Sequence, residues 1–112
     1  MRNNFMSVGM TLFKGDFLTS KDGRSTAIFQ DDGNFVVYRN GKVRWASNTV
    51  NHEALYLVMQ ADGNLVIYTK QGPIWASNTC AKEIPSVHPF LRLTDEGNLV
   101  ITLGGKETWK ST

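Results

Sequence analysis

One block of sequence occurs three times in this chain, and that periodicity restricts its fold more than any other feature. FQDDGNFVVYRNGKVRWASNT runs from Phe29 to Thr49, and MQADGNLVIYTKQGPIWASNT from Met59 to Thr79, thirty residues later and without a gap. A third, altered copy, LTDEGNLVITLGGKETWKST, runs from Leu93 to Thr112. In every copy a Trp follows the central Asn by eleven residues: Asn34 to Trp45, Asn64 to Trp75, Asn98 to Trp109. Shared offsets of this kind mean three copies of one structural unit, which must stack to bury a common core. At 112 residues the chain fits one domain, residues 1–112, built on repeats over 29–49, 59–79 and 93–112.

Each unit reads as β. The runs Phe35 to Tyr38, Leu65 to Tyr68 and Leu99 to Thr102 are short, rich in β-branched or aromatic residues, and followed by the turn formers RNGK, TKQG and LGGK. AIFQ (Ala27 to Gln30) and LYLVMQ (Leu55 to Gln60) lead into the motifs as strands, and LFKGDFL (Leu12 to Leu18) reads as a strand and a turn with Gly15 at the bend. No segment holds an apolar stripe of helical period. Three or four strands per unit predict an all-β fold of ten to twelve strands, three small sheets closing around one axis. By the alternation of strands, Phe35, Val37, Leu65 and Ile67 face the core, where Trp45, Trp75 and Trp109 meet as three equivalent side chains.

An unbroken strand over QDDGNFVVY would put Gln30, Asp32, Asn34, Val36 and Tyr38 on one face. Asp-Gly at 32 and 33, and at 62 and 63, favours a hairpin turn there instead, through its tolerance of positive φ at both turn residues. Polar groups then gather at the hairpin end, with Val36 and Tyr38 as a floor beside them. A turn alone requires Asp and Asn to cap backbone N–H groups. It does not require Gln and Tyr at fixed places in two copies. Together these side chains offer amide donors and acceptors, a phenol and a carboxylate, which suits the vicinal hydroxyls of a pyranose, while Val36 suits its C–H face.

Those residues carry a family resemblance. Q-x-D-x-N-x-V-x-Y, intact at Gln30 to Tyr38 and Gln60 to Tyr68, resembles the mannose-binding motif of the monocot (snowdrop-type, bulb-type or B-type) lectins. The WASNT segments and the triple repeat match that family from Leu12 onward, and the FQDDGNFVVY wording is most similar to its fish skin lectin branch. The resemblance implies a β-prism II fold, three four-stranded antiparallel sheets about a pseudo-threefold axis, and calcium-independent binding of D-mannose. It implies that Asp32 and Asn34 bind the axial O2 of mannose, Gln30 the O3 and Tyr38 the O4, with Val36 on the ring carbons. Gln60, Asp62, Asn64, Val66 and Tyr68 take the same roles in a second site. The third copy reads Thr94, Glu96, Asn98, Val100 and Thr102. It lacks the amide and the phenol, each worth about 0.5 to 1.5 kcal/mol, and a longer Glu crowds the O2 position, so this site is expected to be dead or much weakened. Family members often dimerise by exchanging the C-terminal strand, here 106–112, which makes a homodimer the expected assembly.

The remaining features narrow the alternatives. A formal net charge of +2, with Lys and Arg scattered, offers no basic face for nucleic acid. The single cysteine, Cys80, permits no internal disulfide and lacks the pair found in many plant relatives. No signal peptide or membrane-inserting segment is visible, so the expectation is an extracellular protein exported without one, with a cytoplasmic location as the alternative. His52 and His88 lie between repeats, and the adjacent acids Asp31–Asp32 and Asp95–Glu96 do not form the facing pair that glycoside hydrolysis needs. No catalytic residue, cofactor or metal is expected, since no His/Cys ligand spacing appears. The rival reading is a prism scaffold acting through protein contacts, as in cytoskeletal or toxin-like members. Gln and Tyr retained at two sites argue for sugar.

Overall fold

The computed structural model of the chain describes residues 3–50, 52–81 and 88–112. Among the described residues there are twelve strands: β1 (Phe5–Met6), β2 (Thr11–Phe13), β3 (Phe17–Thr19), β4 (Ser25–Phe29), β5 (Phe35–Arg39), β6 (Lys42–Ala46), β7 (Tyr56–Met59), β8 (Leu65–Thr69), β9 (Gly72–Ala76), β10 (Pro89–Leu93), β11 (Leu99–Leu103) and β12 (Lys106–Lys110). They form three four-stranded antiparallel sheets, β3-β4-β5-β6, β2-β7-β8-β9 and β1-β10-β11-β12. This is the β-prism II arrangement that the repeats and the family resemblance imply.

Each repeat, together with the strand that leads into it, forms a three-stranded meander, and the fourth strand of every sheet comes from the N-terminal segment. That segment distributes its strands in reverse: β3 edges the first repeat, β2 the second and β1 the third. The stretch Leu12 to Leu18 does bend at Gly15, whose φ is +95°. Its two arms, however, join different sheets instead of pairing as one hairpin. The cause lies in Met6, Leu12 and Leu18, each buried in the shared core, one from each short strand. A single hairpin could not deliver three anchors to three faces.

Inward-facing side chains alternate with outward-facing ones as strand geometry requires. Phe35, Val37, Leu65, Ile67, Leu99 and Ile101 are fully buried, and each such side chain contributes roughly 1.5 to 3 kcal/mol relative to exposure. The three tryptophans meet at the axis with ring centroids 5.5, 5.6 and 5.8 Å apart and interplanar angles of 68°, 76° and 74°. Edge-to-face contacts of this kind match the negative faces of the indoles to their positive edges. A bulge recurs in the last pairing of every sheet, between Val37/Tyr38, Ile67/Tyr68 and Ile101/Thr102. It lets Trp45 pair with inward Val37 while Val43 pairs with outward Tyr38, so one strand serves both the core and the outer face.

Candidate functional site

The motif turns have one geometry in all three copies. Gly33 N donates to Gln30 O at 2.9 Å and Gln30 N to Asn34 O at 2.8 Å, and the same pair of bonds recurs at Gln60/Gly63/Asn64 and at Thr94/Gly97/Asn98. Of each Asp-Gly pair only the glycine has positive φ, +89° at Gly33 and +92° at Gly63. The turn is therefore a three-residue loop ending in a left-handed glycine, and not the two-residue turn with positive φ at both positions that the Asp-Gly signal suggests. The two-residue form occurs instead at Asn40-Gly41 (φ 50° and 78°) and Gly104-Gly105 (60° and 80°). Gly33 and Gly63 are also needed for space, since an added Cβ would lie 3.1 Å from Thr49 O and 3.0 Å from Thr79 O respectively.

The turn places Gln30, Asp32 and Asn34 at the hairpin end and Val36 and Tyr38 on β5, as expected. Asp32 Oδ1 accepts from Asn34 N at 2.9 Å. The Asn34 side chain is oriented by the segment that follows β6: its Oδ1 accepts from Ser47 Oγ at 3.1 Å and Thr49 N at 3.2 Å. Both lone pairs are thereby engaged, which leaves Nδ2 as the outward donor. Thr49 Oγ1 in turn donates to Gly33 O at 2.6 Å. The second site repeats this frame with Asp62–Asn64, Ser77 and Thr79 at 2.9, 3.1 and 3.2 Å. Ser47, Thr49, Ser77 and Thr79 were not singled out from the sequence, although their signal is plain: WASNT recurs at constant offset from the motif. Its Asn (Asn48, Asn78) adopts φ 60°, a conformation Asn tolerates better than most residues.

Val36 and Val66 point away from the core yet are buried, at 3% and 2% exposure. In register they lie between Ile28 and Ala46, and between Val58 and Ala76, so each forms an aliphatic floor. Over it, Gln30 Nε2 donates to Tyr38 OH at 2.5 Å. In the second site the amide is turned over: Tyr68 OH donates to Gln60 Oε1, and Gln60 Nε2 donates to Asp62 Oδ1 and Oδ2 at 3.1 and 3.2 Å. Cys80 Sγ also donates to Asp62 Oδ2 at 3.2 Å. Burial would push the Asp62 carboxyl up, but the hydrogen bonds from Asn64 N, Gln60 and Cys80 outweigh it and hold it below the usual carboxylate range, while the same contact with Asp62 pushes the Cys80 thiol up. A hollow of about 410 Å³ adjoins the first site, lined by Gly15, Ile28, Gln30, Asp31 and Asp32.

The third copy keeps the turn but not the donor set. Asn98 N is taken by Thr94 Oγ1 at 3.1 Å in place of an Asp, and Glu96 is exposed. Asn98 Oδ1 accepts from Thr112 Oγ1 at 2.5 Å and from Arg44 Nη2 of the first sheet at 3.1 Å. Arg39 Nη1 donates to Asp95 O, and Asp95 Oδ1 accepts from Asp22 N at 3.0 Å. Neighbouring residues of the first sheet thus hold this turn. Val100 is still 6% exposed, but Tyr is replaced by Thr102.

Among the described residues no group of three or more His, Cys, Asp and Glu is placed to hold a metal ion, and there is no helix long and apolar enough to cross a membrane. No family model matches the chain. The B-type lectin plumieribetin of Scorpaena plumieri is 42% identical over 108 residues, which cover 96% of this chain and 94% of plumieribetin. Among solved structures, a monomeric monocot mannose-binding lectin from Gastrodia elata superposes with a TM-score of 0.86 at 34% identity, over 97% of this chain and 96% of that one. The mannose-specific agglutinin of snowdrop (Galanthus nivalis), solved with methyl α-D-mannoside, gives 0.78 at 38% identity over 89% of each chain. With three prism sheets, two intact motifs and a relative of this identity along almost its whole length, the chain belongs to the B-type (bulb-type) lectin family.

Proposed function

We propose that this protein is a cation-independent D-mannose-binding lectin with two working sites per chain, centred on Gln30, Asp32, Asn34, Val36 and Tyr38 and on Gln60, Asp62, Asn64, Val66 and Tyr68. The observation that carries the reading is the duplicated frame in which Ser and Thr engage the Asn carbonyl, so that Asn34 and Asn64 present only a donor beside the carboxylates of Asp32 and Asp62. A donor and an acceptor side by side match one hydroxyl that must accept and donate, and the buried valine matches the ring below it. Hydrogen bonds alone account for the recognition, with no step assigned to a cation. The degenerate site at Thr94, Glu96, Asn98, Val100 and Thr102 contributes no mannose binding in this reading, because Thr94, Glu96 and Thr102 stand where the other two sites carry Gln, Asp and Tyr.

Single shallow sites of this kind bind weakly, and engaging several on one mannose-rich glycan multiplies affinity by roughly 10² to 10⁴. A homodimer would double the sites. Here β12 completes its own sheet against β11, so exchange of that strand between two chains would replace these bonds with equivalent ones. Retention on mannose-agarose in EDTA, eluted by free mannose and not by galactose, is the expected outcome, with calorimetry giving two mannosides per chain. Asp32→Ala combined with Asp62→Ala is expected to abolish retention while the circular dichroism spectrum is unchanged. Retention of that double variant would place the sugar elsewhere, and flow-through of the parent protein would favour a scaffold that works through protein contacts.

A further inference from the structure

The third sheet, which lost the mannose residues, has not become a blank face. Two hollows of about 660 Å³ and 220 Å³ lie against it, and Asn4, Lys21 and Arg92 line both. The larger one is completed by Phe5, Phe90, Thr102 and Gly105, so every charged group lining it is a cation. Strand register shows how this face arose from the same plan as the other two. The row through the site valine reads Phe17-Ile28-Val36-Ala46 in the first sheet and Thr11-Val58-Val66-Ala76 in the second. In the third it reads Phe5-Arg92-Val100-Lys110. Two aliphatic neighbours of the valine have thus been exchanged for two exposed cations, in the same sheet in which Tyr gives way to Thr102. Among the described residues neither cation has a carboxylate partner, the ion pair there being Arg39–Asp22. Beside them Phe5 and Phe90 form an exposed edge-to-face pair, 6.3 Å apart at 63°, an apolar surface on which one ring can take the C–H face of a sugar ring. Acidic groups lie beside this surface: Asp95 and Glu96 line the smaller hollow, and Glu107 on β12 lies opposite Thr102.

We propose that the outer face of the β1-β10-β11-β12 sheet is a second kind of saccharide site, taking an acidic pyranose, one that carries a carboxylate or a sulfate, with Arg92 and Lys21 on the anionic group, Lys110 extending the cationic field, and Phe5 and Phe90 under the ring. A planar guanidinium accepts either oxyanion in a two-pronged contact, whereas removing Tyr and Gln takes away the groups that read neutral hydroxyls. This assignment stands apart from the mannose reading, which concerns the other two sheets.

The test is a titration of the full chain followed by amide chemical shifts, with methyl β-D-glucuronide and galactose 6-sulfate as the carboxylate and sulfate probes, methyl β-D-glucoside as the neutral counterpart, and sodium sulfate as the bare anion. At least one acidic sugar is expected to shift Phe90, Arg92 and Thr102 saturably and to bind more weakly as salt rises. The two acidic probes tell which oxyanion is preferred. Arg92→Val with Lys21→Ala, the first being the residue the second sheet carries at the matching position, is expected to weaken that binding at least about tenfold while mannoside stoichiometry stays unchanged. Asp32→Ala with Asp62→Ala is expected to leave it intact, so failure of the mannose sites and failure of this one are told apart. The assignment is overturned if neither acidic sugar shifts these amides, if the neutral glucoside binds as well, if sulfate alone binds as tightly as the sugars, or if the Arg92/Lys21 variant titrates like the parent.

Discussion

At the scale of single residues, the site depends on which atoms of each polar side chain remain unused. Asn64 Oδ1 is fully engaged by Ser77 and Thr79, so Asn64→Asp keeps the internal acceptor, removes the outward donor and adds a charge beside Asp62. In an Asp32→Ala background, where the second site is read alone, this change is expected to lower mannoside affinity at least about tenfold, the cost of one hydrogen bond to a charged or buried partner; calorimetry reports it. The same background exposes the pH dependence of Asp62. Its carboxyl lies below the usual range because Asn64 N, Gln60 and Cys80 donate to it against the opposing effect of burial. The stability it adds is therefore fully present above the unfolded-state value and is lost as pH falls through the lowered native one. Mannose binding at this site, which needs the ionised carboxylate, is expected to persist through the ordinary carboxylate range and fail only below it. Loss of binding already in that ordinary range, followed by titration calorimetry, would contradict the geometry.

The elements explain why these residues meet. Every motif turn ends in a left-handed glycine; in the first two its missing Cβ lets the following WASNT segment lie against it, 3.0 Å from where a Cβ would sit at Gly63, and in the third it makes room for Arg39 and Arg44. Gly63→Ala is expected to cost about 1 to 3 kcal/mol in chemical denaturation, since the strained φ and the crowded Thr79 carbonyl act together, and to weaken mannose binding through the displaced Asn64. Gly41, also at positive φ but with nothing near its Cβ position, lacks the crowding, so Gly41→Ala is expected to cost less. The recurrent bulge has a comparable role: a regular ladder would place Val43 on the core side, whereas the shift between Val37 and Tyr38 sets it beside Tyr38 on the outer face and keeps Trp45 inside.

For the molecule as a whole, the tryptophan triangle is where the three sheets communicate. Each indole touches the other two, and Phe35 adds an edge-to-face contact to Trp45 at 6.2 Å. Trp75→Ala removes two of the three ring contacts and opens the axis. It is expected to cost about 3 kcal/mol, the lower end for a large-to-small change because the ring is only partly buried, and a denaturant midpoint within error of the parent would show that the sheets hold together by other means. Because the loss is shared among all three sheets, unfolding of the variant is expected to remain a single transition by fluorescence and circular dichroism alike.

Much of this was legible in the sequence because the information is local. Repeat period, strand alternation and the inward set Phe35, Val37, Leu65 and Ile67 follow from spacing along the chain, and the motif residues lie within nine positions of one another. The Asp-Gly pair misled as to turn type because the signal for a positive φ resides in the glycine alone, and what decides between loop lengths is the closing bond from Gln30 N to Asn34 O. By itself, then, the sequence determined an all-β chain of three equivalent units and two complete copies of the Q-x-D-x-N-x-V-x-Y motif. Only the tertiary structure decided which N-terminal strand edges which sheet, that Arg39 and Arg44 of the first sheet hold the third motif turn, and that Arg92 and Lys110 stand on either side of Val100. The first two join residues far apart in the chain, and the third depends on the register of β10, β11 and β12; burying three apolar faces around one axis then sets what lies beside what on the outside.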